Sequence, residues 1–440
     1  MEIDRSIARI SRALVDQSGI SVFDAEKKLR NMRLDVVVGD IEPTAAAHAA
    51  ILTSISVGSR SFPGGVRLIL EKNDDLRVPW VDGRKTLGDA ANSLLPGGFE
   101  GEASQTLAFG RLNQGNETGL IHPTWSEWEA GWTHASDDRL NQGQNPLSGI
   151  AAAALAVGAA FNSEMGNDTG GTCLKSLWPD NPPHFSNTFL PASLWLVGLG
   201  NLGQAYLWAL SMLPFRDRSS ITYYLQDDDR VSDENWGTSV LVQPNMVGSL
   251  KTKVAETWLE ARGFRLIHRL DRRLHGADAI RPTEPKVALS GLDKIAGRKA
   301  LAAVGFDIIV DAGLGRTAAD FDRYRVSVFD NGNPIDEHFA ALKDEKPRER
   351  ENLPEAYREL EKEIGACGMA EYAGASVAAP FVSAYTAACA VSRLIAVSSG
   401  LAFPANEVGR MSRIGPSKCT PKRNANARGI SHAGKPDLPR

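Results

Sequence analysis

The stretch SLWLVGLGNLGQAYLWAL, residues 193–210, constrains the fold more than any other, because an apolar run ends in three glycines and then continues at helical spacing. Leu194 to Val197 read as a short buried strand, and Leu202, Tyr206, Ala209, Leu210 and Leu213 recur on one helical face. Gly198, Gly200 and Gly203 fall in the turn between them. One glycine permits a tight turn, a second lets backbone approach a phosphate, and the third lets helix and strand pack closely, while the helix N-terminus offers unpaired N–H groups to an anion. A mononucleotide and a dinucleotide suit this geometry equally. The next strand, Ser220 to Leu225, ends in QDDDRVSDENWG, where Asp227 or Asp229 has the spacing of an acid that takes ribose hydroxyls. A second helix opens near Ser249 with Lys251 and Lys253 in its first turn. Cations there oppose the helix dipole but would serve a phosphate.

The first half carries its own α/β signal. Asp35 to Val38 reads as a strand, Pro43 to Val57 as an Ala-rich helix and Val66 to Leu70 as a second strand, a βαβ unit. Its first turn, GDIEPT, has one glycine where a phosphate cradle wants two or three. The expected fold is thus α/β, with a Rossmann-like doubly wound sheet in the C-terminal half and a second, degenerate α/β layer in the N-terminal half. Trp125, Trp128 and Trp132 fall at i, i+3, i+7, the spacing of a helical face used for packing. Asn145-Pro146 opens an Ala-rich helix, and Gly166 to Leu190, punctuated by Gly, Pro, Asn and Asp, reads as a linker. The expected division is an N-terminal domain over 1–165, a linker over 166–190, a nucleotide-binding domain over 191–400 and a basic tail over 401–440.

Composition removes several function classes. A formal charge of −4 spread over 440 residues points to neither nucleic acid nor an anionic membrane. From Met411 onward, Arg413, Lys418, Lys422, Arg423, Arg428, Lys435 and Arg440 face only Asp437, which suits a solvated tail. Cys173, Cys367, Cys389 and Cys419 lie far apart and make neither a zinc motif nor a disulfide framework, so a reducing, cytoplasmic setting is expected. The amphipathic amino terminus is no secretory signal. The Ala-rich Ile150 to Phe161 is shorter than the roughly 18 apolar residues a membrane span needs.

From Leu194 to about Gly400 the motifs come in an order that resembles the ubiquitin-activating-enzyme-like superfamily, which includes the adenylyltransferases of thiamine and molybdopterin biosynthesis. They are the glycine turn, Asp227-x-Asp229, ENWGTS at 234–239 for the family's S-N-x-N-R-Q, Gly248-Ser-Leu-Lys251, SGLDKIAGRKAL for its D-x-x-D-N-x-x-x-R, VDAGLG at 310–315, and a Cys-Gly-led closing helix from Ala366. The resemblance implies ATP with Mg2+. Asp229 would hold the ribose, Asn235 and Lys251 the phosphates and Asp293 the metal, with Lys251 and Asp293 carrying the chemistry. The implied reaction adenylates the C-terminal carboxylate of a ubiquitin-like or sulfur-carrier-like protein, in a chain expected to be a homodimer. Cys367 would merely lead into the last helix.

Four positions named here depart from the pattern. Gly237, Thr238 and Ser239 stand for Asn, Arg and Gln, so a phosphate-facing arginine is missing, and Lys294 replaces the Asn beside Asp293. Arg230, an arginine from the first half such as Arg60, or one from a second subunit could replace the lost charge. Two other functions fit the same residues: a catalytically impaired nucleotide- or protein-binding scaffold, and an NAD(P)-dependent oxidoreductase.

Overall fold

A computed structural model of the chain describes residues 4–81, 83–113, 119–135, 141–167, 170–178, 181–342, 355–374, 376–413, 418–420, 422–424 and 430–438. Helices α1 (Ala8–Ser18) and α2 (Val22–Asn31) lead into β1 (Leu34–Val38), α3 (Ala45–Ser61), β2 (Val66–Leu70), α4 (Leu87–Asn92) and β3 (Gln105–Phe109). The three strands form a parallel sheet in the order β2-β1-β3, the expected degenerate layer. The lone glycine of its first turn is spent on packing, since a Cβ on Gly39 would lie 2.2 Å from the Arg111 carbonyl oxygen.

Next come β4 (His122–Trp125), β5 (Glu129–Thr133), α5 (Pro146–Glu164) and β6 (Thr172–Ser176), with an antiparallel sheet in the order β4-β5-β6. All three tryptophans of TWSEWEAGW are buried, but in a hairpin and not on a helix. Gly131 decides this, because a Cβ there would lie 1.9 Å from the Cys173 carbonyl oxygen of β6. That pairing also puts a strand into the segment read as a linker.

The second half runs β7 (Ser193–Val197), α6 (Asn201–Met212), β8 (Thr222–Gln226), α7 (Lys251–Glu260), β9 (Leu266–Leu270), β10 (Val287–Ser290), α8 (Ile295–Val304), β11 (Ile308–Leu314), β12 (Arg323–Phe329) and α9 (Ile335–Phe339). It closes with α10 (Glu355–Gly374), α11 (Pro380–Ser398), β13 (Ala402–Pro404), β14 (Asn406–Arg410), β15 (Lys418–Cys419) and β16 (Lys422–Asn424). Eight strands form one sheet in the order β15-β14-β12-β11-β10-β7-β8-β9, parallel from β11 to β9 and antiparallel at β12, β14 and β15. The chain after residue 400 thus extends the main sheet through β14, which a purely solvated tail would not do. Of the cysteines, Cys173 and Cys389 are buried and Cys419 is exposed, whereas the side chain of Cys367, in α10, lies outside the described residues.

Between the sheets, α3 packs on α5, α5 on α11, and α11 on α6. Small residues bring them close, as at Gly149, where a Cβ would stand 2.0 Å from the Ala46 carbonyl oxygen. Helices α5 and α11 turn out, at 19 residues each, long and apolar enough to cross a membrane by length and composition. They are 94% and 100% buried within the fold, as core helices are.

His48, on α3, shows the same interior at work on a titratable group. It is buried, its Nδ1 accepts the Arg77 main-chain N–H at 2.9 Å, and burial lowers its pKa to about 4. An imidazole held neutral in the fold but free to charge near pH 6.5 when unfolded stabilises the protein fully above 6.5, and that stability is lost as pH falls toward 4. The expected loss is about 3 kcal/mol. Urea unfolding across this window should show a flatter profile for His48→Asn; parallel profiles would refute the assignment.

Candidate nucleotide-binding site

The three glycines of the turn differ in what surrounds them. Gly198 follows β7 at φ +83°, a conformation open to glycine, and a Cβ there would come within 3.0 Å of the Gly291 main chain just after β10. A Cβ on Gly203 would lie 2.0 Å from the Gly198 carbonyl oxygen, so this position sets how closely α6 approaches β7. Gly200 is the N-cap of α6, and the space beside it is open to 4 Å. No side chain caps α6, and its first internal bond is Gln204 N–H to Gly200 O. The N–H groups of the first turn therefore point out of the helix with no helical acceptor. They do so between β7 and β10, where strand order reverses, and in open α/β sheets ligands bind outside the carboxyl ends of the strands at this point.

The acids after β8 have separate tasks. Asp227 folds back on the turn, accepting from Leu199 N at 2.5 Å and from Asp229 N at 2.7 Å. Burial raises its pKa more than Lys251 and these N–H groups lower it. Both its oxygens are engaged, leaving Asp229, 59% exposed, as the acid presented outward. Asp229 binds Lys251 Nζ at 2.7 Å, and the Lys251 side chain is only 10% exposed although it opens α7. The pair explains a lysine at a helix start: a carboxylate, not the helix dipole, stabilises it. Asn235 is buried and its Oδ1 accepts from Ser232 N at 3.0 Å in a capping box, so its amide oxygen holds a turn.

Carboxylate oxygens of Asp227, Asp228 and Asp229 lie within 4.8 Å of one another, but each acid already has a donor, Asp228 in Arg273 at 3.1 Å. As a cation site this cluster is poor. Asp293, the acid the resemblance places on Mg2+, is exposed, sits two residues beyond the Gly291–Gly198 contact, and makes no hydrogen bond or ion pair among the described residues. The N-cap of α8 is Lys294, so Asp293 is not spent on capping that helix.

Thr238 is buried, and a Cβ on Gly237 would stand 2.0 Å from the Ser6 carbonyl oxygen, so the start of the chain packs onto this segment. Arg9 on α1 reaches Glu234 at 2.8 Å. Arg60 cannot serve a phosphate. It is buried, with Nε donating to Ser239 O, Nη2 to Val240 O and Val242 O, and Nη1 to Ser56 O and Oγ. Every N–H is consumed. Arg230 remains exposed, with one bond from Nη1 to Gly248 O at 2.7 Å.

One cluster is reached by the sequence only through Arg298, the arginine of the motif in SGLDKIAGRKAL, and not as a cluster. Asp311, fully buried on β11, accepts from Arg298 Nε at 3.1 Å, Arg325 Nη2 at 2.6 Å and Ser290 Oγ at 2.7 Å. Burial alone would raise its pKa, but the two guanidiniums outweigh burial and hold it below the usual range. Nothing local in VDAGLG announces a carboxylate shared by arginines from α8 and β12.

A family model for the BilD N-terminal domain matches residues 33–175, and one for the BilD C-terminal domain matches 190–401. The chain belongs to the BilD family. A member from Collimonas sp. (strain OK412), described as the bacterial E1-like protein BilD, is 30% identical over 412 residues, 89% of this chain and 88% of its own. The E1-like part of the resemblance is thereby shown, although the match is to BilD and not to the thiamine or molybdopterin branch. Among solved structures the chain is similar to E. coli MccB, 14% identical with a TM-score of 0.33, covering 57% of this chain and 66% of MccB. PaaA is 13% identical with a TM-score of 0.35, covering 53% and 64%. E. coli TcdA, a tRNA N6-threonylcarbamoyladenosine dehydratase, is 15% identical with a TM-score of 0.30, covering 48% and 87%. Likenesses so distant transfer no residue role to this BilD-family chain.

Proposed function

We propose that this chain binds ATP at the carboxyl ends of β7, β8 and β10 and adenylates the C-terminal carboxylate of a small ubiquitin-like or carrier protein. The uncapped N-terminus of α6 carries the proposal together with Lys251, to which it is linked through Asp227: a first turn of N–H groups without a helical acceptor and a nearly buried ammonium offer an anion what a phosphate needs. In this reading the acceptor's carboxylate oxygen bonds to the α-phosphorus while the bond to pyrophosphate breaks, so no proton moves. Two anions must meet, and the chain's part is to offset their repulsion. Lys251 would exchange Asp229 for phosphate oxygens, leaving the Asp229 carboxylate free to accept from ribose hydroxyls. The first-turn N–H groups of α6 would hold the phosphates in place, and Asp293 would hold Mg2+, which supplies further neutralisation of phosphate charge.

ATP–pyrophosphate exchange with supplied acceptors tests this directly. Wild type should exchange, and Asp293→Asn should lose at least tenfold, since it removes the one described carboxylate there without another partner. Exchange by Asp293→Asn equal to wild type would remove Asp293 from the metal role. The buried Thr238 favours a second reading, a nucleotide-binding scaffold without turnover. Silence of wild type with its acceptor would decide for the scaffold.

A further inference from the structure

The Arg298–Asp311–Arg325 cluster has two cations on one anion. Register fixes its height: Asp311 pairs with Ser290 and Ser290 with Val197, so Asp311 is level with the residue before Gly198. Gly313, two residues further, carries both guanidiniums across β11, since its Cβ position lies 3.3 Å from Arg325 Nη2 and 3.5 Å from Arg298 Nη2. The guanidiniums thus stand past the carboxyl edge of β10, two strands over from β7 and on the sheet face covered by α8, while α6 covers the other face. Asp311 and Arg298 are sealed, but the Arg325 side chain is 20% exposed. Among the described residues only two of its N–H groups are used, by Asp311 and by Ser327 Oγ at 2.7 Å, and its guanidinium carbon lies 5.2 Å from the Phe339 ring centroid.

We propose that Arg325 is the specificity-determining contact for the acceptor, receiving a peptide C-terminal carboxylate on its outward N–H groups. This rests on the adenylation reading and names the substrate side of the same site. Asp311 and Ser327 fix the guanidinium plane, Phe339 covers one flank, and the second arginine leaves the cluster one positive charge in excess, so an incoming carboxylate completes a two-cation, two-anion set. An amide or ester at the chain end brings no charge and is refused.

The test uses full-length protein with a saturating non-hydrolysable ATP analogue and N-acetyl-glycylglycine as probe, against the same peptide amidated. The free carboxylate should raise the melting temperature of wild type and the amide should not; Arg325→Gln should need about tenfold more peptide for the same shift, with Arg325→Lys between them. The ATP-analogue concentration for its own half-maximal shift should be unchanged in both variants, which shows that they fold and separates this role from nucleotide binding. Equal shifts from acid and amide, no shift from either, or a parallel loss of analogue binding would overturn the proposal. A carboxylate-selective shift without pyrophosphate exchange would instead leave Arg325 standing and refute adenylation.

Discussion

Arg60→Met should destabilise the protein by about 4 kcal/mol, more than any surface change in the chain. The arginine on α3 feeds five N–H groups to Ser56 and to the carbonyls of Ser239, Val240 and Val242, and its plane lies 4.5 Å from the Trp236 ring. Burial pushes its pKa down to about 9, so it remains a cation at neutral pH. Removing it strands three carbonyl groups in a dry interior, at about 1–3 kcal/mol each before any relaxation. Lysine is no substitute, because a point donor on a flexible stem cannot fan across three carbonyls. Urea unfolding of wild type, Arg60→Met and Arg60→Lys measures this through the midpoints. A loss below about 1 kcal/mol in the methionine variant would mean that the two halves are not clasped through this residue.

Lys251→Ala should do the reverse, leaving the fold and removing the chemistry. Its partner Asp229 faces solvent, and such a half-exposed ion pair contributes at most about 1 kcal/mol, so the melting temperature should move by a few degrees only. Under the adenylation proposal Lys251 is the cation that offsets phosphate charge, and exchange should fall by about 10²–10³. A variant that turns over within a few-fold of wild type would leave Lys251 a structural helix-start residue.

How far these features could be read from the sequence follows from how local they are. The glycine turn was legible because each glycine's task is set by neighbours a few residues away, and Gly198 and Gly203 indeed contact each other. The Trp hairpin was misread as a helix because its strand character is imposed by β6, some 40 residues on, against which only Gly131 fits. Arg60 stands among the candidate replacement arginines in the sequence because its true acceptors are main-chain carbonyls about 180 residues away, which no side-chain pattern encodes. The span of α5 was underestimated since Ser148 and Asn162 break its apolar run, yet both bond within the helix or its cap and are buried with it. At the site, Asp227-x-Asp229 was legible as a pair of acids but not as a division of labour. That division comes from Asp227 turning back to bind Leu199 N–H.

Nucleotide choice at the glycine turn is the most direct test of the account, measured by titrating full-length wild type calorimetrically with ATP in Mg2+ and, separately, with NAD. ATP should bind at least tenfold more tightly than NAD, and Lys251→Ala should lose most of that preference, because in the proposed site its ammonium and the α6 N-terminus together hold a chain of phosphates. Tighter binding of NAD, or ATP affinity indifferent to Lys251, would contradict an adenylating site and return the chain to the dinucleotide-binding alternative.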